Sequence, residues 1–179
     1  MANPKSRRQV PQDIQVRVFF RDGWLCHWCH RPTVFGLALK YMEQFLKEQG
    51  YEHQTAYYSF RWRRDTSPLL DHLAAVIDHA EAYSTGGAHS VENFVTTCNK
   101  CNMRKSNRPV EAMAKNEFGT PVKGRFGEPR YWDGLASMFL VLAGKNPVAL
   151  TRTERKWYDA LKRFFAEKSG GTSTTTAAD

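Results

Sequence analysis

All four cysteines of this chain fall in two C-x-x-C pairs, Cys26/Cys29 and Cys98/Cys101, separated by residues 30–97. Each pair can present two thiolates to one ion, and two pairs complete a tetrahedral four-sulfur site, the geometry of structural Zn2+. Redox motifs come singly, and here no cysteine is left over after pairing. Such a site is closed, so it holds structure and leaves no open position for chemistry. His27 and His30 are alternative ligands that four thiolates make unnecessary. The clip ties residues near 26 to residues near 98, so the chain between them cannot form a separate domain.

The stretch from Leu73 to Arg108 reads LAAVIDHAEAYSTGGAHSVENFVTTCNKCNMRKSNR. Its apolar run predicts a strand ending in Asp78-His79, and the turn residues around Gly86-Gly87 predict a loop. A second strand is expected from Phe94 to Thr97, followed by a helix that Cys101 helps to start. Asn102 lies on that helix, with Lys105 and Ser106 at i+3 and i+4 on its face. The Asp78 carboxylate and the Asn102 carbonyl are hard oxygen donors suited to Mg2+ or Mn2+. His79, beside them, can take a proton from water near neutral pH. Singly, each has a plainer explanation: a hydrogen-bonded pair at a strand end, a turn residue at Asn93, a polar helix residue at Asn102.

Around this stretch the pattern is mainly helical. From Pro11 to Arg21, Ile14, Val16, Val18 and Phe20 alternate like a strand, while Pro11 at a first turn favours a helix, which is the preferred reading. Residues 33–49 predict a helix with Thr33 as cap and Gly50 as stop. Tyr57 to Arg64 alternates aromatic and basic residues as a strand with one basic face would. Residues 31–72 read as an insertion and 109–168 as a helical extension. Within the extension, one helix opens at Pro109 and another runs from an Asp133 cap to Ala143, with Gly144 as stop. A last one is marked by the capping box Thr151-x-x-Glu154 and by the stripe Trp157, Leu161, Phe164, Phe165. Residues 169–179 are low-complexity and are expected to be disordered.

Lys and Arg number 26 against 18 Asp and Glu, a net charge of +8 that favours a polyanionic partner, nucleic acid ahead of membrane. No apolar run reaches the roughly 20 residues needed to span a bilayer. The basic start, MANPKSRRQV, has no apolar core of a signal peptide, so a cytoplasmic protein is expected, where cysteine pairs favour metal over disulfide.

Taken in order, C-x-x-C, apolar strand, Asp-His, Gly-Gly loop, Glu-Asn, β-prone run and Cys-x-x-Cys-Asn-x-x-Lys closely resemble the HNH endonucleases, the ββα-metal nucleases with an added four-cysteine zinc site. The resemblance covers about residues 17–30 and 73–108. It implies an α+β fold, a ββα-metal core with a structural zinc held by four cysteines, surrounded by additional helices. It further implies His79 as general base, Asp78 and Asn102 as ligands of a catalytic Mg2+ or Mn2+, and Asn93 as the residue that orients the histidine and steadies the loop. Asn102 stands where the family often has a histidine. His89 matches no required position, and Asp71-His72 lacks the residues that should follow. The implied partner is double-stranded DNA; by their charge, Lys105, Arg104, Arg61, Arg63, Arg152, Lys156 and Arg163 are the candidates to contact it, with Arg64, Lys123, Arg125 and Trp62 as further ones. A monomer and a homodimer are both compatible with the residues. The competing expectation is a zinc-stabilised nucleic-acid-binding module without catalysis, and RNA is the competing substrate.

Overall fold

The computed structural model describes residues 9–51, 70–106 and 132–170, which form an α+β fold. The basic residues of the chain start, the strand expected at 57–64, the helix expected from Pro109 and residues 171–179 lie outside these residues. So do Arg61, Trp62, Arg63, Arg64, Lys123 and Arg125.

Two strands pair antiparallel, β1 (Ala75–His79) and β2 (Phe94–Cys98). Ala75 lies opposite Cys98 and His79 opposite Phe94. The register puts the second cysteine pair at one end of the hairpin and Asp78-His79 at the other, roughly 13 Å along the strand. Helix α1 (Gln12–Arg21) precedes the first cysteine pair, and α2 (Gly36–Glu48) follows it. After the hairpin comes α3 (Asn99–Lys105), which starts directly from β2. Then follow α4 (Ala136–Gly144) and α5 (Arg152–Gly170). None of the described helices is long and apolar enough to cross a membrane.

The edges of the hairpin are occupied. On the β2 side, Thr96 N–H donates to Asp22 Oδ2 at 2.8 Å and Thr96 O accepts from His27 N–H at 2.8 Å. Arg21 clamps the same edge through the carbonyls of Val91 and Phe94, at 3.0 and 2.6 Å. On the β1 side, Ala75 N–H reaches Val34 O at 2.8 Å and Val34 N–H reaches Leu73 O at 3.0 Å, a parallel bridge. Residues 32–35 are therefore extended, and the helix expected from Thr33 begins at Gly36. Thr33 is not its cap, because the buried hydroxyl donates to Trp24 O at 2.9 Å.

The main core lies among the helices: Val16 and Phe19 of α1, Ala38 of α2, Phe139 of α4, and Leu161 and Phe164 of α5, around Trp24 and Phe35. Helix α1 packs on α5 and α2 on α4, so the described part of the expected insertion belongs to the core. Trp24 is fully buried, and Gly134 lies flat against it at φ +65; a Cβ there would fall 2.1 Å from the indole. Before α4, the Asp133 carboxylate accepts from the N–H groups of Leu135 and Ser137 at 2.9 and 3.0 Å. Gly144 is the last residue of α4 rather than its stop. The capping box is present in full: Thr151 N–H to Glu154 Oε2 at 2.9 Å, and Glu154 N–H to Thr151 Oγ1 at 3.3 Å. The last helix continues past 168 into the tail expected to be disordered, with Ser169 Oγ donating to Phe165 O.

Candidate active site and metal centre

The four cysteine sulfurs lie within 4.8 Å of one another, all buried. A tetrahedral ion with Zn–S bonds of about 2.3 Å needs sulfurs about 3.8 Å apart, and Cys29 Sγ is 4.0 Å from Cys98 Sγ. The chain turns of the first pair are held by Cys26 N–H to Arg31 O and His30 N–H to Cys26 O, at 2.9 and 2.8 Å, with His30 at φ +56. In the second pair the Cys101 N–H points at Cys98 Sγ, the amide-to-sulfur contact that favours a thiolate. Thiol contacts from Cys101, Cys26 and Cys98 hold Cys29 below its ordinary value, while contacts with Cys26, Cys29 and Cys98 hold Cys101 above it. A bound Zn2+ would take all four as thiolates. The cluster fits a zinc ion. His27 lies beside it, its imidazole pushed down mainly by burial.

At the far end of the hairpin Asp78 and His79 are both buried, with 7 % and 6 % of their surface exposed. Asp78 Oδ1 accepts the N–H of His79 at 2.8 Å, which fixes the carboxylate against its own strand. Oδ2 forms an ion pair with Lys105 Nζ at 2.9 Å. The ammonium also donates to His79 O at 3.0 Å and lies 5.4 Å from the Trp28 ring centre. Lys105 is only 1 % exposed. Its expected role was phosphate contact; instead it turns inward, because it follows the ligand Cys101 by one turn on the buried face of α3. Seven residues span roughly 10 Å, so a long side chain at the end of this helix reaches the end of β1. The same lysine thereby neutralises Asp78 and ties helix to strand.

Residues 80–93 form the loop between the strands. Asn93 Oδ1 accepts from Glu81 N–H at 2.8 Å, and its Nδ2 donates to Glu81 O and Ala88 O at 3.0 and 2.8 Å. Its side chain thus braces the loop. On the His79 ring, Nε2 lies 3.1 Å from His89 Nδ1. Both imidazoles pack on Phe94, with ring centres 5.2 and 4.9 Å away. Sequence reasoning sets His89 aside, and nothing in its spacing from His79 marks a partner.

Asn102 is half-buried on α3, one turn before Lys105. Arg104 is exposed at the end of that helix, and Arg152, Lys156 and Arg163 are exposed on α5. The structure therefore brings Asp78, His79, His89 and Lys105 together, braces their loop with Asn93, and carries Asn102 on the helix that Lys105 anchors. As a hard oxygen donor the Asp78 carboxylate suits a divalent cation, though it would share its charge with the Lys105 ammonium. Among the described residues the four cysteines are the only group of three or more His, Cys, Asp or Glu side chains close enough to share one ion.

A family model described as HNH endonuclease matches residues 66–108. No curated protein and no solved structure matches the chain.

Proposed function

From the match of residues 66–108 to the HNH endonuclease model we propose that the protein hydrolyses phosphodiester bonds of double-stranded DNA. The observation that carries the reading is the pair Asp78-His79, delivered buried at the end of β1 and fastened to α3 by Lys105. His79 is the general base: it takes a proton from water, whose oxygen attacks phosphorus as the bond to the 3′ oxygen breaks. Asp78 and Asn102 would hold Mg2+ or Mn2+, which would supply positive charge at the phosphate. Asp78 is held and oriented for that duty by its two fixed neighbours, the His79 amide and Lys105. Asn93 keeps the loop closed over the histidine.

The basic residues outside the site supply grip on DNA. Arg104, Arg152, Lys156 and Arg163 are the described candidates, and phosphate contacts by several of them make affinity fall steeply with salt. A plot of log affinity against log salt with a slope near zero would remove them as a group.

A supercoiled plasmid incubated with zinc-loaded protein tests the reading. Nicked or linear product is expected with Mg2+ or Mn2+ and none when the divalent cation is left out; an Asp78→Ala variant should need far more metal for the same cleavage. Intact plasmid under every condition leaves the second reading, a zinc-stabilised nucleic-acid-binding protein. One observation favours that alternative: Lys105 already neutralises the carboxylate that the cation would need.

A further inference from the structure

We infer that Trp28, the tryptophan between Cys26 and Cys29, is a positioning residue for the site, seating the Lys105 ammonium against Asp78 and the His79 carbonyl. What the site then does rests on the nuclease reading; the seating of Lys105 does not. Two groups of β1 face Lys105 Nζ: Asp78 Oδ2, its ion-pair partner at 2.9 Å, and His79 O, which accepts its hydrogen bond at 3.0 Å. The ammonium also lies over the Trp28 ring, 5.4 Å from its centre. With the side chain only 1 % exposed, protein groups must replace the water that a cation ordinarily holds.

An indole suits that duty better than its alternatives. Its face carries negative potential, and the attraction to a cation grows when both are out of water. A second carboxylate would hold the ammonium too, but it would add a charge that competes with Asp78 for any divalent cation. A leucine would leave that side of the ammonium against hydrocarbon, which gives a buried charge nothing. Trp28 therefore steadies the cation while leaving Asp78 as the carboxylate of the site.

The chain places the two ends of Lys105 under the two cysteine pairs. Its backbone follows Cys101 by one turn of α3, and its ammonium rests on a residue between Cys26 and Cys29. Trp28 in turn packs on the cysteine cluster, and the His27 ring meets it at 85°, with centres 4.7 Å apart. His27 N–H is fixed to Thr96 O at 2.8 Å, which ties this turn to β2. An ion held by the four thiolates would thus set both where the helix starts and where the indole lies. Lys105 carries both settings to the end of β1, so the cysteine cluster and the Asp78-His79 pair move as one unit.

Nuclear magnetic resonance and cleavage decide the matter together. In zinc-loaded protein labelled with 13C and 15N, the Lys105 methylene beside the ammonium is expected upfield of its ordinary position, shielded by the indole. Trp28→Leu should return it to that position, and Trp28→Phe, which keeps an aromatic face, should retain part of the shift. An ordinary position in the wild-type protein overturns the inference whether or not the protein cuts DNA. The His79 amide, which donates to the Asp78 carboxylate, reports whether the seat reaches the site. Its resonance should move in Trp28→Leu and move much less in Trp28→Phe. In cleavage, Trp28→Leu should raise the Mg2+ needed for half-maximal rate roughly tenfold or more, with zinc content unchanged, and Trp28→Phe should recover most of that loss. Equal Mg2+ requirements in the two variants, or loss of zinc from either, would reduce Trp28 to a packing residue of the cysteine cluster. If both resonances behave as expected and the wild-type protein cuts nothing, the nuclease reading fails and the seating of Lys105 stands.

Discussion

Lys105 shows how much one buried side chain decides. Breaking a buried ion pair by removing one partner leaves a charge without compensation, at a cost of about 3–5 kcal/mol. Lys105→Met should therefore lower the unfolding free energy in urea by that much, while Lys105→Met with Asp78→Asn should lose clearly less than the sum of the two single changes. Strict additivity would show that the 2.9 Å contact has no energetic weight. The inward path of Lys105 was legible, since Cys101 and Lys105 are one turn apart and a ligand cysteine must face the cluster. A positive charge at a helix end is ordinarily solvated, which makes the outward reading the default for such a residue. His89 was not legible: its contact with His79 depends on how the loop closes, and that depends on backbone hydrogen bonds from Asn93 that residue types do not announce.

Helices and strands followed their local signals where those were self-contained. The capping box at Thr151 and Glu154 needs only residues three apart, and it formed as read. Thr151→Ala should cost about 1 kcal/mol in thermal or urea unfolding. Glu154 is buried, which raises its pKa, but Lys40 at 2.5 Å and the Thr151 amide and hydroxyl outweigh that and hold it below the ordinary 4.5. A carboxyl depressed in the folded state adds stability above the unfolded value and loses it as pH falls through the folded one. The stability of the wild-type protein should thus decline as pH drops below 4.5, and Glu154→Gln should flatten that decline. An unchanged acid limb would contradict the account of this cap. The start of α2 was misplaced for the opposite reason: Thr33 caps well in isolation, but its hydroxyl goes to Trp24 O, and the next residue, Val34, is held extended by its bridge to Ala74, contacts that no local signal announces.

At the scale of the whole molecule, two cores divide the work. The hairpin with its cysteine cluster has little apolar mass, and the helices supply it through Trp24, which joins the first cysteine pair to α1, α2 and α4. Gly134→Ala would drive a methyl into that indole at a backbone angle that disfavours side chains, so it should destabilise the entire protein and loosen the hairpin with it. Near-native unfolding for this variant would mean that the two cores are independent. The clip between the cysteine pairs was legible because spacing alone implies it; the helical core was legible only as amphipathic stripes, whose partners depend on packing that no stripe specifies. The most direct test of the central claim compares wild type with His79→Ala on supercoiled plasmid in Mg2+, with zinc content measured on both samples. Equal zinc with cleavage lost in the variant is the result expected, and cleavage by His79→Ala at the wild-type rate would contradict the assignment of this histidine as the base.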